Sequence, residues 1–165
     1  MRQIASTVGV QMPTLYYYYN SKHILLYEIM SDVLHQILAG LKEAIHISDD
    51  PIQRFRKAME FHVLFHCKNK TEVTIIDSEL RSLEADHYNK IIGLRDEYEG
   101  IIKDIIYQGV AEGVMAVDDV KIASYAVITM GTAVLSWYKE DGRLSPEVIA
   151  GQYADLGIKF LAVKP

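Results

Sequence analysis

Apolar residues recur along this chain at three- and four-residue steps almost without interruption, and that spacing predicts helices. Leu26, Met30, Val33, Ile37, Leu41 and Ile45 form one stripe behind Ser21, a good N-cap, so a long helix should run to about His46. Asp50 and Pro51 open the next, which reaches about Lys68 with Phe55, Ala58, Met59, His62, Val63 and His66 inward. A shorter helix is expected from about Glu72 to Ser82. Glu84 to Glu112 then keeps the period through Tyr88, Ile91, Ile92, Tyr98, Ile101, Ile102, Ile105, Ile106 and Val110. Asp118 or Asp119 caps a helix expected to continue to Tyr138. Ser145-Pro146-Glu147 starts the last one, with cap, proline and acid in order. No segment alternates convincingly with period two. The expected fold is all-α.

The first 26 residues follow a different pattern. Ile4, Ala5 and Val8 mark the apolar face of a short helix, and Gly9 suits a left-handed exit. Val10 should turn back into the core. Gln11 or Met12 opens a second short helix with Pro13 in its first turn. Leu15 and Tyr19 face inward there, which leaves Thr14, Tyr16, Tyr17 and Tyr18 outward. A phenol on a helix can donate to phosphate oxygens, and its ring can touch a thymine methyl.

The run Ile4-Ala5, Gly9-Val10, Thr14-Leu15-Tyr16, Tyr19, Ser21-Lys22 and Leu25-Leu26 resembles the DNA-binding signature of the TetR family of bacterial transcriptional regulators. Tyr18 stands where that family often has histidine. The chain begins inside what would be the family's second helix. The resemblance implies a truncated helix-turn-helix head and connecting helix over residues 1–45, and a helical-bundle body for ligand binding and dimerisation over residues 46–165. It implies a double-stranded DNA operator as partner, met by Gln11, Met12, Pro13, Thr14, Tyr16, Tyr17, Tyr18 and Lys22. Repression relieved by a small-molecule effector is the family's common mode. A looser resemblance runs through Gly131-Thr132-Ala133, Trp137-Tyr138 and Asp141 to Glu147. It points to a subgroup that regulates lipid or steroid catabolism and responds to acyl-CoA thioesters. The rival expectation is a dimeric ligand-binding module that cannot bind DNA because the first helix is missing. Burying one large apolar side chain is worth roughly 1.5–3 kcal/mol, so Ile4, Val8 and Leu15 without a wall could melt the head.

Charge supports a DNA-facing end. The chain of 165 residues carries a net −5, yet residues 1–27 hold Arg2 and Lys22 and no acid. That end is therefore +2 and the remainder −7. Half the residues are hydrophobic, enough for a real core, and the single cysteine suits a reducing cytoplasm.

Ile122 to Tyr138 is uncharged over 17 residues, the short limit for a bilayer span. Ser124, Thr129, Gly131, Thr132 and Ser136 within it favour a helix buried between subunits, so no membrane partner is expected. Two consecutive apolar helices at the C-terminus exceed what one small body covers. Paired with a second copy they would give a homodimer through Ala126, Met130, Ala133, Val134, Trp137, Ile149, Tyr153, Leu156 and Phe160.

A ligand cavity should lie between the middle helices, lined by Phe61, His62, Phe65, Ile76, Leu80, Tyr98, Met130 and Trp137. Arg81 and Arg95 are candidate partners for an anionic head group. Each of these residues also has an ordinary reading as core or solvated surface. His62, His66 and Cys67 are the most metal-like cluster, with Asp77, Glu79 and His87 as further ligands. The histidines more simply border a cavity, so no metal and no cofactor is expected. No phosphate loop, nucleophile elbow or paired-carboxylate motif occurs in the sequence, and no enzyme is expected.

Overall fold

The computed structural model describes residues 1–161. The last four residues of the expected body, 162–165, lie outside the described residues. Helices α1 (Arg2–Val8) and α2 (Met12–Tyr18) form the turn-joined pair. Gly9 closes α1 at φ 76°, and the Val10 N–H donates to the Ala5 carbonyl at 3.0 Å. Gln11 is the extended N-cap of α2, with Pro13 in its first turn. Ala5 and Leu15 are buried at the crossing. Ile4, Val8 and Val10 are not: they are 40%, 66% and 37% exposed, against the expectation that they face a core. Two helices of seven residues each cover one another only where they cross, and nothing among the described residues lies over their far side.

The Ser21 hydroxyl accepts the Ile24 N–H at 3.2 Å and starts α3 (Lys22–Ile45). Met30, Leu34, Leu38 and Leu41 on α3 are buried in the main core. Asp50 accepts the Gln53 N–H at 2.9 Å and starts α4 (Pro51–Lys68). Asn69 joins α4 directly to α5 (Lys70–Glu79), which begins earlier than expected and tightens into a 3₁₀ turn at Leu80–Ser82. Glu84 precedes α6 (Ala85–Ala111), on which Tyr88 and Val110 prove exposed. Asp119 accepts the Ile122 N–H at 3.0 Å and starts α7 (Val120–Thr132).

The expected single helix from there to Tyr138 is broken. It stops at Ala133 and resumes as one turn, α8 (Val134–Trp137). Both the backbone N–H and the hydroxyl of Ser136 bond to the Ala133 carbonyl, at 3.1 and 2.8 Å. That local competition replaces the α-helical ladder with a tighter turn. It also drops Val134 into a second apolar cluster with Val63, Cys67, Tyr138 and Ile149. The last helix, α9 (Pro146–Leu161), starts where Ser145-Pro146-Glu147 places it.

Helix α4 is the central element, packed against α3, α6, α7 and most extensively α9. The small residues of α9 make this contact. Ala150, Ala154 and Gly157 are buried, and a β-carbon at Gly157 would come within 2.7 Å of Phe55 Cε1. The stripe of small residues thus serves α4 of the same chain. By length and composition alone, Lys22–Ile45 and Val120–Trp137 could cross a bilayer. In α3 that apolar surface is already committed to the core.

A Gly157→Val substitution tests the α4–α9 contact. Replacing a helical glycine gains less than 1 kcal/mol of propensity, while overpacking against a fully buried ring costs typically 1–3 kcal/mol. Chemical denaturation should therefore show a net loss of about 1–2 kcal/mol.

Candidate functional site

A cavity of about 360 Å³ lies among α3, α4, α5, α6 and α7. Its walls are mostly apolar: Val33, Leu34 and Ile37 from α3, Phe65 from α4, Val73 and Ile76 from α5, Ile92 from α6, Ile128 from α7. Polar groups enter at two depths. The buried ones are His62, His66 and Tyr98. Asp77, Arg95, Asp96 and Glu99 lie nearer solvent, with Arg95 paired to Asp77.

The buried groups form one hydrogen-bonded knot. His62 Nδ1 lies 2.7 Å from the Tyr98 hydroxyl, and its Nε2 lies 3.2 Å from Thr132 Oγ1. Gly131 gives the ring room, since a β-carbon there would stand 2.5 Å from His62 Cδ2. His66 Nδ1 donates to the His62 carbonyl at 2.7 Å, one turn back on the same helix. Burial holds the His62 pKa well below its usual 6.5, reinforced by neighbouring His66 and only partly opposed by the Ile128 carbonyl. Burial lowers His66 as well, against the raising effects of the His62 carbonyl and Asp77. Burial also raises the Tyr98 phenol far beyond its usual range. All three side chains are therefore neutral at pH 7.

The structure brings His62, Phe65, Ile76 and Tyr98 to this cavity as the sequence suggested. It does not bring Phe61, Leu80, Arg81, Met130 or Trp137 there. Phe61 lies against Gly40 of α3, and Met130 turns toward Gly157. Trp137 is carried off by the break at Ala133 and lies against Tyr153, its indole N–H donating to that hydroxyl at 3.2 Å. Arg81 is exposed on the 3₁₀ turn, one turn beyond the wall. The α3 residues were missed because their stripe reads as core; only the packing of α5 and α6 leaves a gap beside them. Among the described residues no three His, Cys, Asp or Glu side chains converge as a metal site, and Cys67 packs in the second cluster.

At the head, Gln11, Pro13, Thr14, Tyr16, Tyr17, Tyr18 and Lys22 are exposed and Met12 is half-buried. The rings of Tyr17 and Tyr18 meet edge-on, 5.2 Å apart. Helix α3 links this surface to the cavity. Near its start His23 Nδ1 donates to the Ser82 carbonyl at 3.0 Å, and Tyr27 stacks on His87 of α6 at 4.1 Å.

Of the residues expected at a dimer interface, Val134 and Ile149 are buried within the protomer and unable to reach a partner. Val134 is turned into the second cluster at the break after Ala133, and Ile149 is carried into it by the packing of α9 on α4. Trp137, Leu156 and Phe160 are 49%, 53% and 55% exposed. Ala126 and Ala133 are also exposed, and Met130 and Tyr153 are half-buried.

A turn-joined helix pair carried by one long helix into a chambered bundle is the architecture of a TetR-type regulator. Residues 48–161 match the tetracyclin repressor-like C-terminal domain, and the chain belongs to the TetR family. The HTH-type transcriptional repressor KstR2 of Mycolicibacterium smegmatis is 24% identical over 157 residues, covering 93% of this chain and 76% of that protein. A tetR-family regulatory protein from Rhodococcus RHA1 superposes with a TM-score of 0.92 at 25% identity, covering 99% of this chain and 86% of that one. AibR, in complex with isovaleryl coenzyme A and operator DNA, has the same fold: TM-score 0.84 at 23% identity, over 97% of this chain and 85% of that one.

The neutral histidines set a pH dependence. The unfolded chain binds protons to both rings near pH 6.5, whereas the folded chain resists them. Stability is therefore full above pH 6.5 and lost as pH falls below it. Thermal unfolding at pH 7.5 and 5.5 should show a clearly lower midpoint at 5.5. A flat profile would contradict neutral burial.

Proposed function

We propose that this chain is a DNA-binding transcriptional repressor released by a small-molecule effector. Residues 1–45 form the reading head and its lever, and residues 46–165 form the effector-binding and dimerisation body. The observation that carries this reading is that α3 begins beside the tyrosine face and then lines the cavity with Val33, Leu34 and Ile37. An occupant that moves α3 moves the head. It must bind the released conformation more tightly than the DNA-bound one, or nothing shifts.

On DNA, a dimer would set two α2 helices in successive major grooves, about 34–36 Å apart. Gln11, Met12 and Pro13 would line the helix start against DNA, Thr14, Tyr16 and Tyr17 would approach bases, and Tyr18 and Lys22 would hold phosphates. Lys22 adds its cation to the N-terminus of α3, where the helix dipole also favours an anion. The dimer would form through Trp137, Tyr153, Leu156 and Phe160 with Ala126, Met130 and Ala133 between them, in a cytoplasmic protein that assigns no catalysis to its cavity.

The likeness to AibR, whose structure holds isovaleryl coenzyme A, supports an acyl-CoA thioester as effector class. The acyl part fits the apolar walls. The coenzyme phosphates would lie outside, because the rim holds Asp77, Asp96 and Glu99 against Arg95 alone. The exposure of Ile4, Val8 and Val10 supports a second reading, in which this chain binds ligand as a dimer and does not bind DNA.

Mobility-shift binding to DNA upstream of its own gene, at stated salt, separates the two. On the first reading the chain binds, Lys22→Ala weakens binding on every sequence, and the salt slope falls by about one. Absence of binding at low salt, with ligand binding intact, establishes the second. A Leu156→Asp change should convert dimer to monomer by sedimentation without loss of helix content. A dimer that survives it would move the interface elsewhere.

A further inference from the structure

One ring nitrogen of a buried histidine at the cavity wall makes no hydrogen bond among the described residues. Tyr98 and Thr132 both point their hydroxyls at His62, one donating to its lone pair and the other accepting its N–H. At the rim, Asp77 and Arg95 are paired with each other and both reach solvent. His66 differs. Its Nδ1 carries the proton, because that nitrogen faces the His62 carbonyl at 2.7 Å and only an N–H can bond there. The other nitrogen of a neutral ring is then a bare lone pair. Nε2 makes no hydrogen bond among the described residues, and it is not among the buried atoms sealed away from any partner. The ring is only 4% exposed and lines the cavity, so the space Nε2 can reach is the cavity itself.

An acceptor in an apolar chamber selects its occupant by chemistry. A ligand carbonyl or carboxylate would set oxygen lone pairs against nitrogen and leave both unpaired, which buried polar groups tolerate poorly. An ammonium would have to be buried beside apolar walls, and the nearest carboxylate, Asp77, is already paired with Arg95, so its desolvation cost stays large. A neutral O–H donor meets neither penalty. The remaining walls, such as Leu34, Phe65, Ile76 and Ile128, take hydrocarbon.

We infer that His66 is the specificity-determining residue of the cavity and that the effector is an aliphatic or alicyclic molecule carrying a hydroxyl group that donates to His66 Nε2. This rests on the cavity being the effector site, as proposed above. The hydroxylated body could arrive as a free alcohol or as the acyl part of a thioester; the contact at His66 is the same.

The test compares pairs in which one member carries the O–H donor and the other lacks it. Binding of 1-decanol and of methyl nonyl ether to the full chain is measured by calorimetry without DNA, so operator recognition does not enter. A second pair, 10-hydroxydecanoyl-CoA and decanoyl-CoA, distinguishes the two sources. The hydroxylated member of at least one pair should bind about tenfold more tightly, the usual worth of one net hydrogen bond. Preference in the first pair identifies a free alcohol, and preference in the second alone a thioester. In His66→Phe the preference should vanish while affinity for the donor-free member is kept. Independently, the 15N resonance of His66 Nε2 in the native chain should move on binding the preferred hydroxylated member and stay in place with its donor-free counterpart. Equal binding within both pairs, a preference that survives His66→Phe, or an unmoved Nε2 resonance would overturn the assignment. Release of DNA by donor-free members would do so too, while leaving the regulator reading intact.

Discussion

The buried contact of His62 with Tyr98 and Thr132 is the constraint on which the rest of the body depends. One imidazole ring in α4 is satisfied from α6 on one nitrogen and from α7 on the other. A buried polar group left without partners costs about 1–3 kcal/mol, so the three helices hold a common register. Gly131 is part of the same device, because any larger residue would occupy the space of the ring. The knot keeps α6 and α7 at a fixed distance, and the cavity is the space left beside it.

That arrangement makes α4 a hub with two unlike faces. Toward α9 it presents Phe55 to Gly157 in close apolar packing. Toward the cavity it presents His62, Phe65 and His66, where packing is incomplete. Rigidity on one side supports a vacancy on the other. The neighbours across that vacancy are α3 and α5, and both lead toward the head: α3 directly, α5 through the Ser82 carbonyl that accepts from His23. Hydrogen bond and helix thus converge on the first turn of α3, beside Lys22.

The surface divides in the same way. The outward side of α9, with Leu156 and Phe160, stays apolar although its inward side is already satisfied by α4. The head has few charges but a dense phenolic face, and its two cations stand apart from a body that is strongly acidic. Such a distribution leaves positive potential at one end of the molecule and negative potential elsewhere.

Local signals fixed most of the fold. Ser21, Asp50 and Asp119 each cap the helix they were expected to cap, because capping needs only the three residues that follow. Gly9, Pro13 and the Leu15 register were legible for the same reason, as was the helical period that excluded a sheet. What escaped was decided between elements. The break at Ala133 sets Val134 in the second cluster and Trp137 against Tyr153, away from the cavity. The stripe on α3 marks Val33 and Ile37 as buried, though not Leu34, and nothing local says that the surface opposite them is left partly open. The sequence by itself determined which residues face inward. Only the tertiary structure decided which inward faces meet atoms and which meet a cavity, because that depends on the distances at which separately coded helices come to rest.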